Sequence, residues 1–391
     1  MGPLDGVKVV DFSVMISGPL AAMMLADQGA EVVKVETPGF GDIMRLLGTS
    51  KNGMTGIFAN NNRGKRSLVV DLKTDGGRDV IHKLVEDADV VIQNFRPGAM
   101  ARLGLGFEDL AAINPDLVYT SISGYGSSGP YSDRRVYDNV IQAASGLASV
   151  QTDPATGEPA MFRTLVCDKS TAYTAAQAIT AALFARATGK AAGQHIELAM
   201  IDTAIAFLWP DSAMDAALLD DDVNRQPTLA SNYAVTRLAD GFASAAAVTD
   251  SEFAGLCATY GRAEMADDPR FVDTLTRMAN ANAMVVELAE AAAGCSLGDF
   301  VERSQEHDVP ASKINTLADL PSDPQVMNND VFIERDHPLA GRIREPRPAA
   351  RMHATPQRVG RVAPGHGEHT LEIIAELGFD VDELRAGGTI A

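Results

Sequence analysis

The chain has 391 residues, 46% of them hydrophobic and 22% charged, which is length and apolar content enough for a sizeable core and for two domains. A formal net charge of -19 argues against a nucleic-acid partner, whose phosphates it would repel, and no stretch offers the roughly 18 consecutive apolar residues of a membrane span. Three scattered cysteines (Cys167, Cys257, Cys295) are too few for a disulfide framework or a zinc-type CxxC pair, and no leader pattern precedes the first strand signal, so a cytoplasmic location is expected.

"VKVVDF" (7–12) reads as a short strand. A helix in "GPLAAMMLADQGA" (18–30) opens with Pro19 near its start and closes at Gly29, and "EVVKVE" (31–36) is strand again. The pattern recurs as strand 67–72, helix 76–88, strand 89–95, helix 107–114 and strand 117–123. Such alternation predicts an α/β fold with a mostly parallel sheet covered by helices. In open sheets of this class ligands sit outside the carboxyl ends of the strands. The segments there, 13–19, 37–42, 94–98 and 124–130, all carry Gly and Pro. None forms a GxGxxG after a strand, which discounts a dinucleotide site. Basic residues are concentrated between positions 43 and 105, and a positive cleft concentrates anionic ligands, so a small polyanion is a candidate partner. A solvated helix face would give the same excess.

In "LVCDKSTAYTAAQAI" (165–179) an apolar approach ends in Asp168, and a helix is expected from Asp168 or Lys169, with Ala172, Ala175, Ala176, Ile179 and Leu183 along one face. Asp168 then either caps that helix or acts as a nucleophile. Cys167 reads as a small buried residue. Beyond residue 210 the texture turns acidic and irregular. The expected organisation is a large domain from 1–210, a linker over 211–228, a small domain over 229–325 with amphipathic helices at 251–261 and 296–308, and a return segment, 326–391, that completes the large domain. "HGEH" (366–369) lacks a third ligand nearby and reads as a helix entry, so no metal site is expected.

Several segments together resemble the class III CoA-transferases, a family that includes formyl-CoA and carnitine CoA-transferases and, as a divergent branch, α-methylacyl-CoA racemase. They are "GVKVVDFS" (6–13), "GPLAAMMLADQGAEVVKVETPGFGD" (18–42), "NRGKRSLVVDLKTDGG" (62–77), "NFRPGAMARLGLGFEDL" (94–110), "ISGYGSSGPYSDRRVYDNVIQAASGL" (122–147), the run from Cys167 to Ala204, and "GEHTLEIIAELG" (367–378). The resemblance implies a Rossmann-like large domain with a smaller α+β domain, an interlocked homodimer, acyl-CoA and a small carboxylic acid as substrates, and no permanently bound cofactor. It implies that Asp168 is the nucleophile and that Val70, Lys73, Asn94, Phe95, Arg102, Leu103 and Arg135 contact coenzyme A. An aspartate suits the chemistry, being ionised near neutral pH without a separate base, and arginines bind phosphate oxygens in a forked way.

The chain also departs from the formyl-CoA transferase pattern. Ile16 stands where that subgroup has Gln, Thr37 where it has Arg, and the run of glycines in its mobile loop is missing. These departures argue against a formyl or oxalate substrate, and Ile16 hints at a less polar acyl group. Gly124 opens a turn whose amides are candidate oxyanion donors. Tyr137 occupies the place where racemases carry His and is a poor base, and Asp138 beside it is a candidate support for Asp168. The alternatives are a racemase acting by α-proton transfer and a homologue that binds acyl-CoA without turning it over.

Overall fold

The structure, a computed structural model, describes residues 1–228, 230 and 233–390. The first residue of the expected small domain, position 229, lies outside the described residues. The chain divides into two compact units, Met1–Asp221 with Asp330–Ala391, and Asp222–Asn329.

The larger unit opens with β1 (Lys8–Asp11), α1 (Ser17–Asp27) and β2 (Glu31–Glu36). A short hairpin, β3 (Ser50–Lys51) and β4 (Met54–Thr55), and α2 (Gly56–Asn62) precede β5 (Lys65–Val69). There follow α3 (Asp75–Val85), β6 (Val90–Gln93), α4 (Ala99–Arg102), α5 (Phe107–Ile113), β7 (Val118–Ser123), α6 (Asp138–Ala144), α7 (Val166–Ala187), β8 (Gln194–Ala199), α8 (Met200–Ser212) and α9 (Met214–Ala217). Six strands form one sheet in the order β5-β2-β1-β6-β7-β8, with every pairing parallel. Because side chains alternate along a strand, Val9, Val32, Val90 and Val118 face one side and Val10, Val33, Val91 and Tyr119 the other. The first face is covered by α1 and α7, whose alanines (Ala21, Ala22, Ala172, Ala175, Ala176) allow the helices to approach closely. The second is covered by α3 and α5 and by Ile373, Ile374 and Leu384 from the end of the chain. The strand order reverses between β1 and β6, and the crevice outside their carboxyl ends is the favoured ligand position in such a sheet.

The smaller unit holds β9 (Thr236–Arg237), β10 (Phe242–Ala245), α10 (Asp250–Thr259), α11 (Thr274–Ala279), α12 (Ala281–Ala293), α13 (Leu297–Glu306), β11 (Ala311–Lys313) and α14 (Pro324–Asn328). Its strands pair antiparallel in the order β11-β10-β9. Leu238, Leu256, Tyr260, Phe300 and Val309 form its main core, with Phe253, Cys257, Met265 and Phe271 in a second cluster. The chain then returns to the larger unit through a hairpin, β12 (Phe332–His337) and β13 (Gly341–Pro346), and ends in α15 (Thr370–Glu376) and α16 (Val381–Ala386).

Three elements differ from the sequence reading. The first part of the irregular acidic stretch is helical, since α8 runs through Pro210 to Ser212 and α9 follows. The return segment, for which no particular strand was expected, contains the β12–β13 hairpin, in which Arg342 and Arg344 both pair with Glu334 across the strands. Finally, α7 starts at Val166, before Asp168, and its N-cap Leu165 makes no side-chain capping bond.

Candidate active site

Asp168 is the third residue of α7 and does not cap it. Its carboxyl is buried, and the backbone N–H and hydroxyl of Ser17, the first residue of α1, lie close enough to favour its charged form. The Ser17 N–H is one of the first-turn donors that a helix leaves without an internal partner, so two helix starts converge on one carboxyl. The backbone N–H of Asp168 is in turn donated to Asp138 Oδ2 at 2.9 Å, at the start of α6. Asp138 Oδ1 accepts from the Gln142 amide at 2.5 Å, and Gln142 also reaches the carbonyls of Phe162 and Thr164.

Burial, reinforced by the charge of Asp138, pushes the Asp168 carboxyl up to about 7, against the pull of the two Ser17 donors. The group is therefore about half ionised at neutral pH, where an ordinary aspartate is fully so. The neighbouring Cys167 thiol is pushed up to about 12 by burial and by the two aspartates, which leaves it protonated and a poor nucleophile.

The turn that presents Ser17 rests on a buried ionic framework. Lys34 and Lys65, on β2 and β5, are fully buried. Lys34 Nζ donates to Ser13 O at 2.7 Å and pairs with Asp42 at 3.1 Å. Lys65 Nζ donates to Asp11 and to the Pro19 carbonyl, each at 2.8 Å. Asp42 accepts from the N–H of Met15 at 3.2 Å. Met15 sits at φ 68, a left-handed conformation unfavourable for a side chain of its kind, so the turn needs such anchors. Gly18 is required where it stands, because a Cβ there would lie 2.2 Å from that of Ser13.

Beside this centre lies a cleft of about 500 Å³ at the ends of β6 and β7. Among the residues predicted from sequence, Asn94, Phe95, Arg102, Gly124, Arg135 and Tyr137 line it together. Arg96, which the sequence reading held only as part of the basic segment, and Arg134, which it did not single out, line it too. None of the four arginines is ion-paired among the described residues, although Arg134 stacks over Tyr131 at 3.7 Å. Gly124 packs against Val136 so closely that a Cβ would lie 2.3 Å from it.

The remaining predicted residues are placed elsewhere. Val70 is fully buried, its N–H donated to the Glu36 carbonyl, so its side chain is core. Lys73 is exposed after β5 and does not line the cleft. Leu103 is half-buried, packed with Phe95 against the cluster that contains Val70. Ile16 is buried among Met44, Met54, Phe58 and Ala59, underneath the turn, where it supports the Ser17 backbone. Most of the basic segment is engaged internally: Arg45 with Glu36, Arg63 with Asp27, Lys65 with Asp11, Arg66 with Glu372 and Glu376, Arg78 with Asp75 and Lys83 with Glu86. Only Arg96 and Arg102 of that segment line the cleft. In the tail, His366 meets the Thr37 carbonyl and His369 meets Ser67 N–H and Arg361, so both are engaged in joining the return segment to the sheet.

Comparison with known proteins identifies the family. Residues 4–370 match the family model for CoA-transferase family III, and the chain belongs to that family of transferases. It is 34% identical over 386 residues to the succinate–glutarate CoA-transferase of Agrobacterium fabrum, covering 96% of each chain. It is 32% identical to human succinyl-CoA:glutarate CoA-transferase, covering 99% of this chain and 90% of that one. Among solved structures, a CAIB/BAIF family protein from Brucella suis superimposes with a TM-score of 0.85 at 34% identity, covering 96% of this chain and 99% of the other.

Proposed function

We propose that this protein moves coenzyme A from an acyl-CoA thioester to a carboxylic acid through covalent adducts on Asp168. The observation that carries the proposal is the Asp168 carboxyl itself: buried near a helix start, facing Ser17 at the start of α1, and next to an arginine-lined cleft. The ionised carboxylate attacks the donor thioester carbonyl, forming a mixed anhydride as the C–S bond breaks and CoA thiolate leaves. The thiolate then attacks the Asp168 carbonyl, releasing the donor acid and leaving an aspartyl-CoA thioester. The acceptor carboxylate repeats both steps in reverse and Asp168 is regenerated. Ser17 N–H, the Ser17 hydroxyl and the amides following Gly124 are the donors available to the oxyanion of each tetrahedral intermediate.

In this reading Arg96, Arg102, Arg134 and Arg135 hold the phosphates of CoA, and Phe95 and Leu103 border its less polar part. Tyr137, 67% exposed and with no imidazole at hand, gives no support to α-proton transfer. Relatives named for succinate and glutarate make short dicarboxylic acids the first acceptors to examine. The exposed apolar side chains of α7 and α8, Tyr173, Phe184, Phe207 and Trp209 among them, form surface that a second copy of the chain would cover, in line with the expected homodimer. Among the described residues no helix is long and apolar enough to cross a membrane, and three buried, unpaired cysteines suit a reducing cytoplasm.

The test is mass spectrometry of the Asp168 peptide after incubation with succinyl-, glutaryl-, acetyl- and oxalyl-CoA, with and without hydroxylamine, beside Asp168→Ala. A hydroxamate or CoA adduct confined to Asp168 is the expected result. Transfer that proceeds undiminished in Asp168→Ala refutes the proposal.

A further inference from the structure

The resemblance implies that Asn94 contacts CoA, yet its amide is engaged elsewhere. Nδ2 donates to the Val14 carbonyl at 2.7 Å and Oδ1 accepts the Val14 N–H at 2.9 Å, a two-point clamp on one peptide unit of the β1–α1 turn. Two bonds to one residue fix both its position and its rotation, and they leave a single Nδ2 hydrogen for any ligand.

Val14 immediately precedes Met15, the residue held at φ 68, and Ser17 lies two residues further on. The other anchors of the turn come from the opposite side of β1: Lys34 on Ser13 O, Asp42 on Met15 N–H and Lys65 on Pro19 O. Those three side chains are buried, whereas Asn94 is half-buried and lines the cleft. Of the four anchors, Asn94 alone stands between the arginine-lined cleft and the turn that faces Asp168.

We infer that Asn94 is a positioning residue, clamping the β1–α1 turn so that Ser17 faces the Asp168 carboxyl, and that it joins cleft to nucleophile across the strand-order reversal. The inference rests on the proposed role of Asp168. Releasing the clamp frees Met15 to leave its strained conformation and carries Ser17 away from Asp168. A displacement near 1 Å at such a site slows chemistry by about 100-fold, whereas loss of a direct ligand contact acts on affinity.

The experiment compares wild type, Asn94→Ala, Asn94→Asp, Ser17→Ala and the Asn94→Ala/Ser17→Ala double variant. Asn94→Asp keeps an acceptor for the Val14 N–H but sets a carboxylate oxygen against the Val14 carbonyl, so it breaks half of the clamp with little change of shape. Three quantities are read: CoA affinity by calorimetry, the rate of hydroxylamine-trapped Asp168 acylation at saturating acyl-CoA, and the Asp168 carboxyl titration by carbon NMR. The groups facing that carboxyl are Asp138 from α6, which raises its midpoint, and Ser17 from α1, which lowers it.

Both Asn94 variants are expected to keep CoA affinity within about 2-fold while acylation slows by about 10- to 100-fold. The Asp168 midpoint should rise as it does in Ser17→Ala, and the double variant should be no slower than the slower single one, because both act through one interaction. A fall in CoA affinity with acylation at saturation unchanged overturns the inference in favour of a ligand contact, and so does an unmoved Asp168 midpoint. If no donor acylates wild-type Asp168, the proposed function fails separately, and the titration still decides whether Asn94 acts through Ser17.

Discussion

Replacing the candidate nucleophile should make the protein more stable, and the gain should depend on pH in a defined way. The Asp168 carboxyl is 8% exposed and raised from the ordinary 3.8 to about 7, with burial as the main cause and the Asp138 charge second. Between those two values the folded chain holds a proton that the unfolded chain has released. Stability therefore falls as pH rises through that window and reaches its full penalty above about 7. A shift of about three units corresponds to about 4 kcal/mol at 1.36 kcal/mol per unit. Asp168→Asn is nearly isosteric, keeps an acceptor for Ser17 and carries no charge. Its advantage over wild type should be near zero at pH 4, grow by about 1.4 kcal/mol per pH unit, and level off above pH 7. Calorimetric or urea unfolding of the two proteins from pH 4 to pH 8, with the CoA adduct assay in parallel, reads both sides of this exchange of stability for activity. A variant less stable than wild type at pH 8, or a gain that does not change with pH, would refute the burial argument.

The same shift predicts that kcat/KM for acyl-CoA rises with pH through about 7 to a plateau, because only the ionised carboxyl attacks; Asp138→Asn removes the neighbouring charge and should move that rise to lower pH, read from the pH–rate profile. Arg102→Ala and Arg135→Ala should each raise the KM for acyl-CoA by about 10-fold with kcat little changed, the loss of one charged hydrogen bond, and the wild-type KM should itself rise with salt in steady-state assays. Gly124→Ala forces a methyl onto Val136 and should destabilise the cleft wall by about 1–3 kcal/mol, measured by thermal melting. The double variant Gly124→Ala/Val136→Ala should recover most of that loss.

Much of the fold was legible in the sequence because it is written in local pattern. Short β-branched runs alternating with amphipathic helices require a parallel sheet, and the observed β1, α1 and β2 fall within a few residues of the segments read as strand, helix and strand. Asp168 stood out because an acid follows an apolar approach and begins a run of small residues, and the Gly- and Pro-bearing segments after β6 and β7 pointed to the strand exits where the cleft lies. The β12–β13 hairpin was hidden because its charges satisfy one another across strands, a pairing invisible in either strand alone.

What only the tertiary structure decided is the electrostatic setting of those residues. Lys34 and Lys65 lie in strands where a lysine reads as solvent-facing, yet both are fully buried, balanced by acids that the fold brings from 8 to 54 positions away. Ser17 carries no signal beyond a common helix-start residue, and becomes the partner of Asp168 only when α1 packs against α7. Sequence names the groups that ionise and the faces on which they lie. Their burial, and hence the proton affinity of Asp168, depends on which distant segments close over them, and that is set by the packing of the whole unit.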